Sequence, residues 1–569
     1  MTESSTLADQ SGGSSDFLVV GAGSAGCVVA SRLAASGASV LLIEAGSDLP
    51  PDAVPADIQD IYARSYYNSA YRWPGVKAAV MENSVPSAYA QAQVVGGGSS
   101  LMGMVALRGL PSDYDGWATQ GAAGWSWQAA LRGFRQLETD RDFNDEMHGR
   151  DGPVTIRRHM PEDWPPFCSA IGDAAARMGW PTILDLNAEF EDGYGPLPMT
   201  RTQSGRVSAA SAYLDPVSRA RANLTIMCNT RVDKLLFSGD RCVGATATRG
   251  KQSMDLPAAH VVVSAGAILS PALLLRSGIG DAAAVAALGV RPIVDLPGVG
   301  ANLQNHPIVY LAAHVPPAAR QSPSLRPGFN SSLRFSSGLG QPADLSLLVL
   351  NKSSWHGLGE SVAGLGLCLQ QPLARGRVSL RSSNPLALPE VAFRMLSEQT
   401  DIDRMKHGFA IACELMLDSS VRAVRNEVFA AGYSRVVRSL NRPGALMSLT
   451  TRLIASVLDT SPRVRRNLLR WAVASGDVRE SRLNDSRWHA HTVSQRSFGT
   501  YHAAGSCRMG SPDDPSTTVV DPDCNVLGVA GLSVVDASIM PTIPRGNINL
   551  PVMMIAHRYV DRALQTDLL

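Results

Sequence analysis

The chain has 569 residues, of which 45% are hydrophobic and 18% charged, so it is long enough for about two to four domains and apolar enough to bury large cores. Its 51 Lys and Arg residues nearly balance 50 Asp and Glu residues, which argues against a nucleic-acid partner or an acidic membrane recognised through overall charge. The 51 glycines exceed the ordinary share of about 7% without the triplet repeat of collagen, so their positions carry the information.

The N-terminal residues 1–15 are polar, rich in Ser and Gly, and lack the apolar stretch of a secretory signal, so we predict a disordered tail. No uninterrupted apolar run of about 18 residues predicts a membrane span. The eight cysteines are scattered without a C-x-x-C pair and are predicted to be buried thiols. We therefore expect no metal site and a cytoplasmic, reducing compartment.

Residues 16–45 have the pattern of a strand-helix-strand unit. An apolar strand at 17–20 precedes the pattern G-x-G-x-x-G at 21–26, a helix is predicted to about Ser36, and a second strand at 40–43 ends at Glu44. Such glycines permit a tight turn, close approach of a pyrophosphate and close helix packing, while the acid binds ribose hydroxyls. The unit predicts a dinucleotide site and leaves NAD and FAD open.

Two further glycine clusters follow. Gly96, Gly97 and Gly98, with two serines after them, suit a backbone that closely approaches a flat or phosphate-bearing ligand; a flexible loop is the alternative. Residues 261–266 form an apolar strand ending in small residues, followed by a helix predicted to start at Pro271.

The pattern changes between residues 305 and 500. Segments 344–350, 364–370 and 376–381 predict strands of an antiparallel sheet with one solvated face, and a last helix is predicted over 550–564. The chain therefore predicts an α/β fold in which a discontinuous Rossmann-like domain carries an inserted α+β substrate domain. The Rossmann-like parts are 16–160, 201–304 and 501–569, and the substrate parts are 161–200 and 305–500.

Within the substrate domain, residues 445–476 predict two extra helices with an arginine cluster at 463–470. A packed surface insertion is one interpretation. The other is a basic amphipathic element that makes a peripheral contact with a membrane or a protein partner.

Together these motifs resemble the glucose-methanol-choline (GMC) oxidoreductases, which are FAD enzymes. Residues 266–280 fit the second signature of that family at every position, and residues 94–101 match the first signature, with departures at Gln93 and Met102. The stretches 108–117, 124–127 and 148–153 resemble the branch that contains hydroxymethylfurfural oxidase and aryl-alcohol-type oxidases.

The resemblance implies a non-covalent FAD. Some relatives attach the flavin through a histidine near the first signature, whereas this chain has Met102 there and no histidine before His148. The resemblance assigns FAD binding to Gly21, Gly23, Ser24, Ala25, Gly26, Glu44, Ala45, Gly97, Gly98, Ser99, Met102, Gly103, Val232, Ala265, Gly266, Asp536, Ala537, Asn547 and Pro551.

The same resemblance implies that His502 is the catalytic base and Asn549 its partner, with Asn547 as the rival for the partner role. A base with a pKa near 6.5 can take the hydroxyl proton of an alcohol while hydride moves to flavin N5, and a neutral amide can orient the alcohol oxygen. His306, in a segment that crosses between the domains, is interpreted as structural.

The expected reaction is oxidation of a primary alcohol, aromatic or furan-type by branch, to the aldehyde. The electron acceptor, O2 or a quinone-like carrier, stays open. A non-redox hydroxynitrile lyase and a flavoprotein with no catalytic use of its flavin are the alternatives.

Overall fold

The computed structural model describes residues 14–322, 324–432, 435–442, 444–473 and 480–565. Most of the predicted N-terminal tail, and the last three residues of the predicted 445–476 insertion, lie outside these ranges.

The strands range from two-residue pairs to one strand of twelve residues. In chain order they are β1 (Ser15–Val20), β2 (Val40–Ile43), β3 (Lys77–Met81), β4 (Ser87–Ala88), β5 (Glu138–Asp140), β6 (Val154–Arg157), β7 (Gly193–Pro196), β8 (Met199–Thr200), β9 (Leu224–Met227), β10 (Thr230–Ser238), β11 (Arg241–Arg249), β12 (Gln252–Val263), β13 (Ile279–Gly280), β14 (Val294–Asp295), β15 (Pro307–His314), β16 (Phe329–Phe335), β17 (Leu345–Leu350), β18 (Val362–Leu369), β19 (Arg377–Ser379), β20 (Glu390–Met395), β21 (Val428–Ala430), β22 (Phe498–Gly499) and β23 (Leu532–Val534).

The α-helices lie mostly near the two ends of the chain and in the second half of the substrate region. They are α1 (Ser24–Ala35), α2 (Ala56–Gln59), α3 (Gly98–Leu101), α4 (Pro111–Thr119), α5 (Trp127–Leu137), α6 (Pro166–Arg177), α7 (Ala209–Tyr213), α8 (Pro216–Arg219), α9 (Gly266–Arg276), α10 (Ala282–Ala287), α11 (Gly357–Glu360), α12 (Gln399–Leu417), α13 (Ser419–Val424), α14 (Arg435–Leu440), α15 (Ala445–Thr460), α16 (Pro462–Val473), α17 (Ser486–Arg496) and α18 (Asn549–Gln565).

A seven-stranded central sheet has the order β10-β11-β12-β1-β2-β9, with β23 beside the end of β12. Strand β12 belongs to two arrangements: its first half pairs antiparallel with β11, and its second half lies parallel between β1 and β23. The apolar runs of β1 and β12 are buried on both faces because helices cover the sheet. The predicted strand-helix-strand unit and the C-terminal helix are therefore confirmed.

The prediction that a helix starts at Pro271 was wrong, because Pro271 lies inside α9, which begins at Gly266. A proline within a helix has no N–H for the carbonyl four residues earlier, here that of Ala267. The Ser506 hydroxyl donates to the Ala267 carbonyl at 2.6 Å, so this oxygen remains satisfied. A contact from a distant part of the chain thus lets the helix extend through the proline.

A second large sheet, which we call the roof sheet, has the antiparallel order β21-β15-β18-β17-β16-β7, with β22 also beside β15. One face packs on α6 and α12 around an apolar core that includes Leu347, Leu367 and Phe409. The predicted solvated face is wrong: Leu348 and Gln370 on and beside these strands line an internal cavity instead. The predicted segment 376–381 also contributes to a different sheet, as β19.

The inserted region contains the two predicted helices, α15 and α16. Among the described residues, no helix is both long enough and apolar enough to cross a bilayer. All eight cysteines are buried and free, as predicted.

Candidate active site

The first two glycine clusters, far apart in sequence, form one cradle at the carboxyl end of β1. The Gly96 N–H donates to the Ala22 carbonyl at 2.7 Å. Gly97 has φ +54°, and a Cβ added to it would lie 2.8 Å from the Cα of Gly23. Both conditions require glycine, since a side chain would collide with backbone. The glycines at 96–98 therefore allow a close backbone contact with the first cluster, which the interpretation as a flexible loop does not explain.

The third cluster closes the same cradle. A Cβ on Gly21 would lie 2.6 Å from the Ser264 carbonyl oxygen. The segments that follow β1 and β12 are therefore too close at this point for any residue but glycine. The Gly266 N–H and the Ser270 hydroxyl donate to the buried Asp536 carboxylate at 2.7 and 2.6 Å. Asp536 thereby joins the start of α9 to the segment after β23.

The start of α1 is suited to an anion. Its N-cap is Gly23, which has no side chain that could occupy the first N–H groups of the helix, and the first turn contains no acidic residue. Backbone N–H groups at the beginning of a helix, together with the helix dipole, bind phosphate well. Gly98 and Gly103 face open space, because a Cβ on either would meet nothing within 4 Å. The cradle thus has backbone donors and open space beside Gly98 and Gly103 for a phosphate-bearing cofactor such as FAD.

Glu44 is buried at the end of β2, where its two carboxylate oxygens accept the N–H groups of Ala22 at 3.0 Å and Gly46 at 2.8 Å. Burial raises the pKa of this carboxyl, against the lowering effect of those N–H groups. Each oxygen keeps a second lone pair, which a ribose hydroxyl can use. Glu44 therefore supports the glycine turn in addition to its predicted contact.

The structure places the other predicted cofactor residues on several elements. Ala25 and Gly26 lie in the first turn of α1, Ala45 accepts the Gln93 amide at 3.4 Å, Ser99 donates to the Gly96 carbonyl at 2.6 Å, Val232 lies on β10, Ala265 precedes α9, Ala537 follows Asp536, and Pro551 is buried in α18.

Sequence reasoning missed Arg206. Its buried guanidinium donates to the carbonyls of Ser99 at 3.0 Å and Met102 at 2.6 Å. These hydrogen bonds stabilise the backbone that follows the second glycine cluster. No local sequence pattern marks this arginine, because its partners are backbone atoms more than a hundred residues earlier in the chain.

A cavity of about 2190 Å³ lies between the roof sheet and the small sheet that contains β3 and β4. Met102 and Gly103 border it on the cradle side, and the roof sheet contributes Tyr310 and Leu348. His502 faces this cavity from the segment that follows β22. The cavity therefore adjoins both the cofactor cradle and the predicted base.

The structure pairs His502 with Asn547, whose amide nitrogen lies 3.2 Å from His502 Nε2. The prediction that Asn549 is the partner was wrong. Asn549 is the first residue of α18, and its side-chain oxygen accepts the Ser24 hydroxyl at 2.8 Å. The two asparagines are only two residues apart, but one precedes the helix and faces the cavity while the other is turned toward α1.

His306 lies against the other side of the His502 ring, with their Nδ1 atoms 3.0 Å apart. The Asn547 amide nitrogen can only donate, so His502 Nε2 accepts. His502 then carries its proton on Nδ1 and donates it to His306 Nδ1. The unprotonated nitrogen of His502 is therefore Nε2, next to Asn547. A general base needs such a nitrogen to accept a proton.

Backbone contacts hold the two histidines together. Gln304 and Ala504 exchange two backbone hydrogen bonds, and the Asn305 side-chain oxygen accepts the His502 N–H at 3.0 Å. Tyr501 has φ +65°, a costly conformation for a tyrosine, and its hydroxyl lies 2.8 Å from that of Tyr66. Contacts of Tyr501, just before His502, and of Ala504, just after it, thus fix the orientation of His502.

Burial lowers the pKa of His502 to about 4. The pKa of His306 is also lowered, first by burial and then by His502 beside it. Both rings are therefore neutral at neutral pH, which is the state in which His502 can accept a proton.

A separate buried cluster contains Glu138, Asp140 and His148, whose ligand atoms are close enough for a metal ion. Arg108 and Arg158 already make ion pairs with these carboxylates. Burial alone would lower the pKa of His148, but the hydrogen bonds that its ring donates to the carboxylates of Asp140, Asp185 and Glu138 together raise it to about 10. The protonated imidazole and two guanidinium groups carry three positive charges, which pair with the three carboxylates of Glu138, Asp140 and Asp185, so the cluster is an ion-pair network.

This geometry defines a dinucleotide-dependent oxidoreductase, with a nucleotide cradle, a neutral half-buried histidine and a cavity between them. The chain matches the family model "GMC oxidoreductase" over residues 15–308 for its N-terminal part and 372–556 for its C-terminal part. The chain belongs to this family, whose members are FAD-dependent enzymes acting on alcohol-type donors.

Related proteins match this chain over nearly its whole length. The chain is 36% identical to the 5-(hydroxymethyl)furfural oxidase of Methylovorus sp. (strain MP688), over 96% of this chain and 98% of that one. It is 30% identical to the oxygen-dependent choline dehydrogenase of Vibrio vulnificus, over 96% and 94%. The structure of pyridoxine 4-oxidase from Mesorbium loti superposes with a TM-score of 0.79 at 25% identity, covering 97% and 99%.

Proposed function

We propose that this protein oxidises an aromatic or furan-type primary alcohol to the aldehyde, with His502 as the base and Asn547 as its partner. The observation that carries the proposal is the bare Nε2 atom of a neutral His502, held between Asn547 and His306 at the wall of the cavity. We assign FAD to the cradle of glycines and to the end of β2, as a non-covalent cofactor, because Met102 has no group for attachment.

FAD, when bound, supplies the acceptor for the hydride of the alcohol carbon. The protein supplies the rest. His502 Nε2 takes the hydroxyl proton, which raises the electron density on the alcohol oxygen and makes the carbon a better hydride donor. The Asn547 amide donates a hydrogen bond to the same oxygen as its charge develops. A positioned general base contributes about 10²–10⁴-fold to the rate.

The cavity wall favours a flat, apolar substrate. Aromatic side chains are only 6% of the chain, yet several of them gather around this cavity: Tyr66, Trp73, Tyr89, Tyr310, Phe498 and Tyr501. Aromatic rings pack on one another in offset or edge-to-face contacts, which add to the gain from burial. The name of the relative from Methylovorus supports the furan-type substrate.

We further propose O2 as the electron acceptor. Both named relatives and the superposed structure carry "oxidase" or "oxygen-dependent" in their names, which supports an oxidase over transfer to a quinone-like carrier.

An anaerobic titration tests the proposal. The purified flavoprotein is mixed with benzyl alcohol, 5-(hydroxymethyl)furfural and aliphatic alcohols, and the flavin absorbance is followed. We expect bleaching with the aromatic and furan alcohols and rapid recovery when O2 is admitted. Flavin that stays oxidised with every alcohol would contradict the function, and slow recovery in O2 would contradict the acceptor.

Two variants assign the base in the same experiment. His502→Ala should retain FAD but bleach about 10²–10⁴-fold more slowly. The matched control is His407→Ala, since His407 is exposed on α12, far in sequence from the site. Equal effects of the two substitutions would exclude His502 as the base.

A further inference from the structure

Helix α15 is apolar on two opposite faces. One face, with Thr451, Ala455 and Leu458, is buried against the protein. The other face carries large apolar residues spaced by three, four and four positions, which places them in one stripe along the helix. These residues, with their exposed fractions, are Leu446 (73%), Leu449 (58%), Leu453 (60%) and Val457 (43%).

Helix α16 continues this surface. Val464 and Trp471 are exposed, Trp471 by 69%, and their seven-residue spacing puts them on one side of the helix. Arg463, Arg466 and Arg470 follow one another by three and four positions on another side, and all three are exposed. We call the set Leu446, Leu449, Leu453, Val457 and Trp471 the docking face. A single exposed leucine is ordinary, but a contiguous apolar patch marks an interaction surface.

The docking face also borders the cavity. Leu453, Val457 and Trp471 line the same cavity that contains His502 and Asn547. The surface that exposes apolar side chains therefore also forms part of the wall of this cavity.

We propose that the docking face binds the surface of an anionic lipid bilayer, so that the cavity wall formed by Leu453, Val457 and Trp471 lies against the acyl chains. An amphipathic helix of this kind lies in the interfacial plane with its apolar side chains about 5–10 Å into the headgroup and acyl boundary. Tryptophan favours that depth because its ring is apolar and its N–H is polar. Alcohols that dissolve in the bilayer then reach His502 without crossing water; this last step rests on the proposed function.

Charge favours a bilayer over a second copy of the chain. Residues 445–473 contain five arginines and one acid, Asp459. That acid is paired with Arg320, and the neighbouring Glu427 is paired with Arg465 and, at 3.6 Å, with Arg466. Among the described residues, these two acids therefore balance only Arg466 of the three exposed arginines. A symmetric dimer would bring the arginines of both copies into one interface, which costs energy, whereas anionic headgroups attract them.

Vesicle flotation tests the docking. The FAD-loaded enzyme is mixed with vesicles of phosphatidylcholine alone, or of phosphatidylcholine with phosphatidylglycerol. We expect binding to the anionic vesicles that weakens with added salt, because the Debye length falls. Binding to neither vesicle would overturn the proposal, as would equal binding to both.

Matched variants locate the surface. Leu446→Gln with Leu449→Gln should weaken vesicle binding at least about tenfold, since both side chains would leave the apolar layer. Arg463→Gln and Arg470→Gln should each weaken it about fivefold. The controls are Leu339→Gln, Leu386→Gln and Arg132→Gln, which change exposed residues elsewhere on the molecule. An equal loss in the controls would overturn the assignment of the face.

Two further measurements separate the outcomes. Sedimentation velocity without lipid should give the same molecular mass for the wild type and for the Leu446→Gln, Leu449→Gln variant; a dimer that only the wild type forms would overturn the bilayer in favour of a second copy. With vesicles present, the variant should oxidise water-soluble benzyl alcohol normally and a long-chain alkyl benzyl alcohol more slowly. Flotation needs no turnover, so docking is judged even if no alcohol is oxidised.

Discussion

The Nδ1 atoms of His306 and His502 lie 3.0 Å apart, and this contact leaves Nε2 of His502 as the unprotonated nitrogen. A histidine can act as a base only through a bare nitrogen, and which nitrogen is bare depends on the hydrogen bond made by the other. His306, interpreted from the sequence as structural, is therefore a positioning residue for the base.

Substitution of His306 should separate positioning from folding. Gln at this position can still accept the His502 Nδ1 proton, whereas Leu cannot. We expect His306→Leu to lower kcat at least about tenfold with little change in KM, and His306→Gln to recover most of that loss. Steady-state kinetics and FAD content of both variants provide the check. Equal kinetics of the two variants would mean that His306 only fills space.

Substitution of Asn547 should affect mainly kcat, whereas substitution of Asn549 should affect mainly stability. Asn547→Ala removes a donor from the reacting oxygen, so we expect kcat to fall about 10–100-fold with FAD retained. Asn549→Ala removes the acceptor of the Ser24 hydroxyl and should lower the free energy of unfolding by about 1 kcal/mol, with a small effect on kcat. Urea denaturation and stopped-flow flavin reduction measure the two effects. A larger loss of kcat in Asn549→Ala would restore the sequence-based assignment.

The pH dependence should reflect the buried base. Only neutral His502 can accept a proton, and burial lowers its pKa to about 4, below the ordinary 6.5. We expect kcat/KM to be constant at neutral pH and to fall about tenfold per pH unit below about pH 4. FAD fluorescence at each pH confirms that the protein is still folded. An acid limb near pH 6.5 would show that His502 is solvated.

The same shift affects stability. The unfolded chain binds a proton at His502 below about pH 6.5, whereas the folded protein does so only below about pH 4. His502 therefore makes the folded state less stable as the pH falls through this interval, and His502→Ala should reduce that dependence in urea denaturation at pH 5 and 7.

The glycine cradle can be tested by one methyl group. Gly97→Ala would place a Cβ 2.8 Å from the Gly23 Cα at a φ of +54°, so we expect loss of bound FAD. Gly239→Ala is the control: it has a similar φ of +62° but nothing within 4 Å, and it lies in a turn. The flavin absorbance per mole of protein measures both. Retention of FAD by the Gly97 variant would contradict the cradle.

Local pattern was sufficient for much of the fold. The apolar runs before and after Gly21–Gly26, the helix end near Ser36 and the C-terminal helix were predicted close to their observed bounds, because neighbouring residues decide them. The start of α9 was not, because the carbonyl that Pro271 leaves unpaired is satisfied by Ser506 from another part of the chain.

The sequence by itself determined the type of cofactor cradle, the histidine we propose as the base and the presence of helices in the inserted region, since glycine spacing, a family motif and helical periodicity are all local. Only the tertiary structure decided that Asn547 and not Asn549 meets His502, because α18 begins between them and turns the second side chain toward α1. It also decided which face of α15 is buried, since both faces are apolar in sequence and only packing distinguishes them.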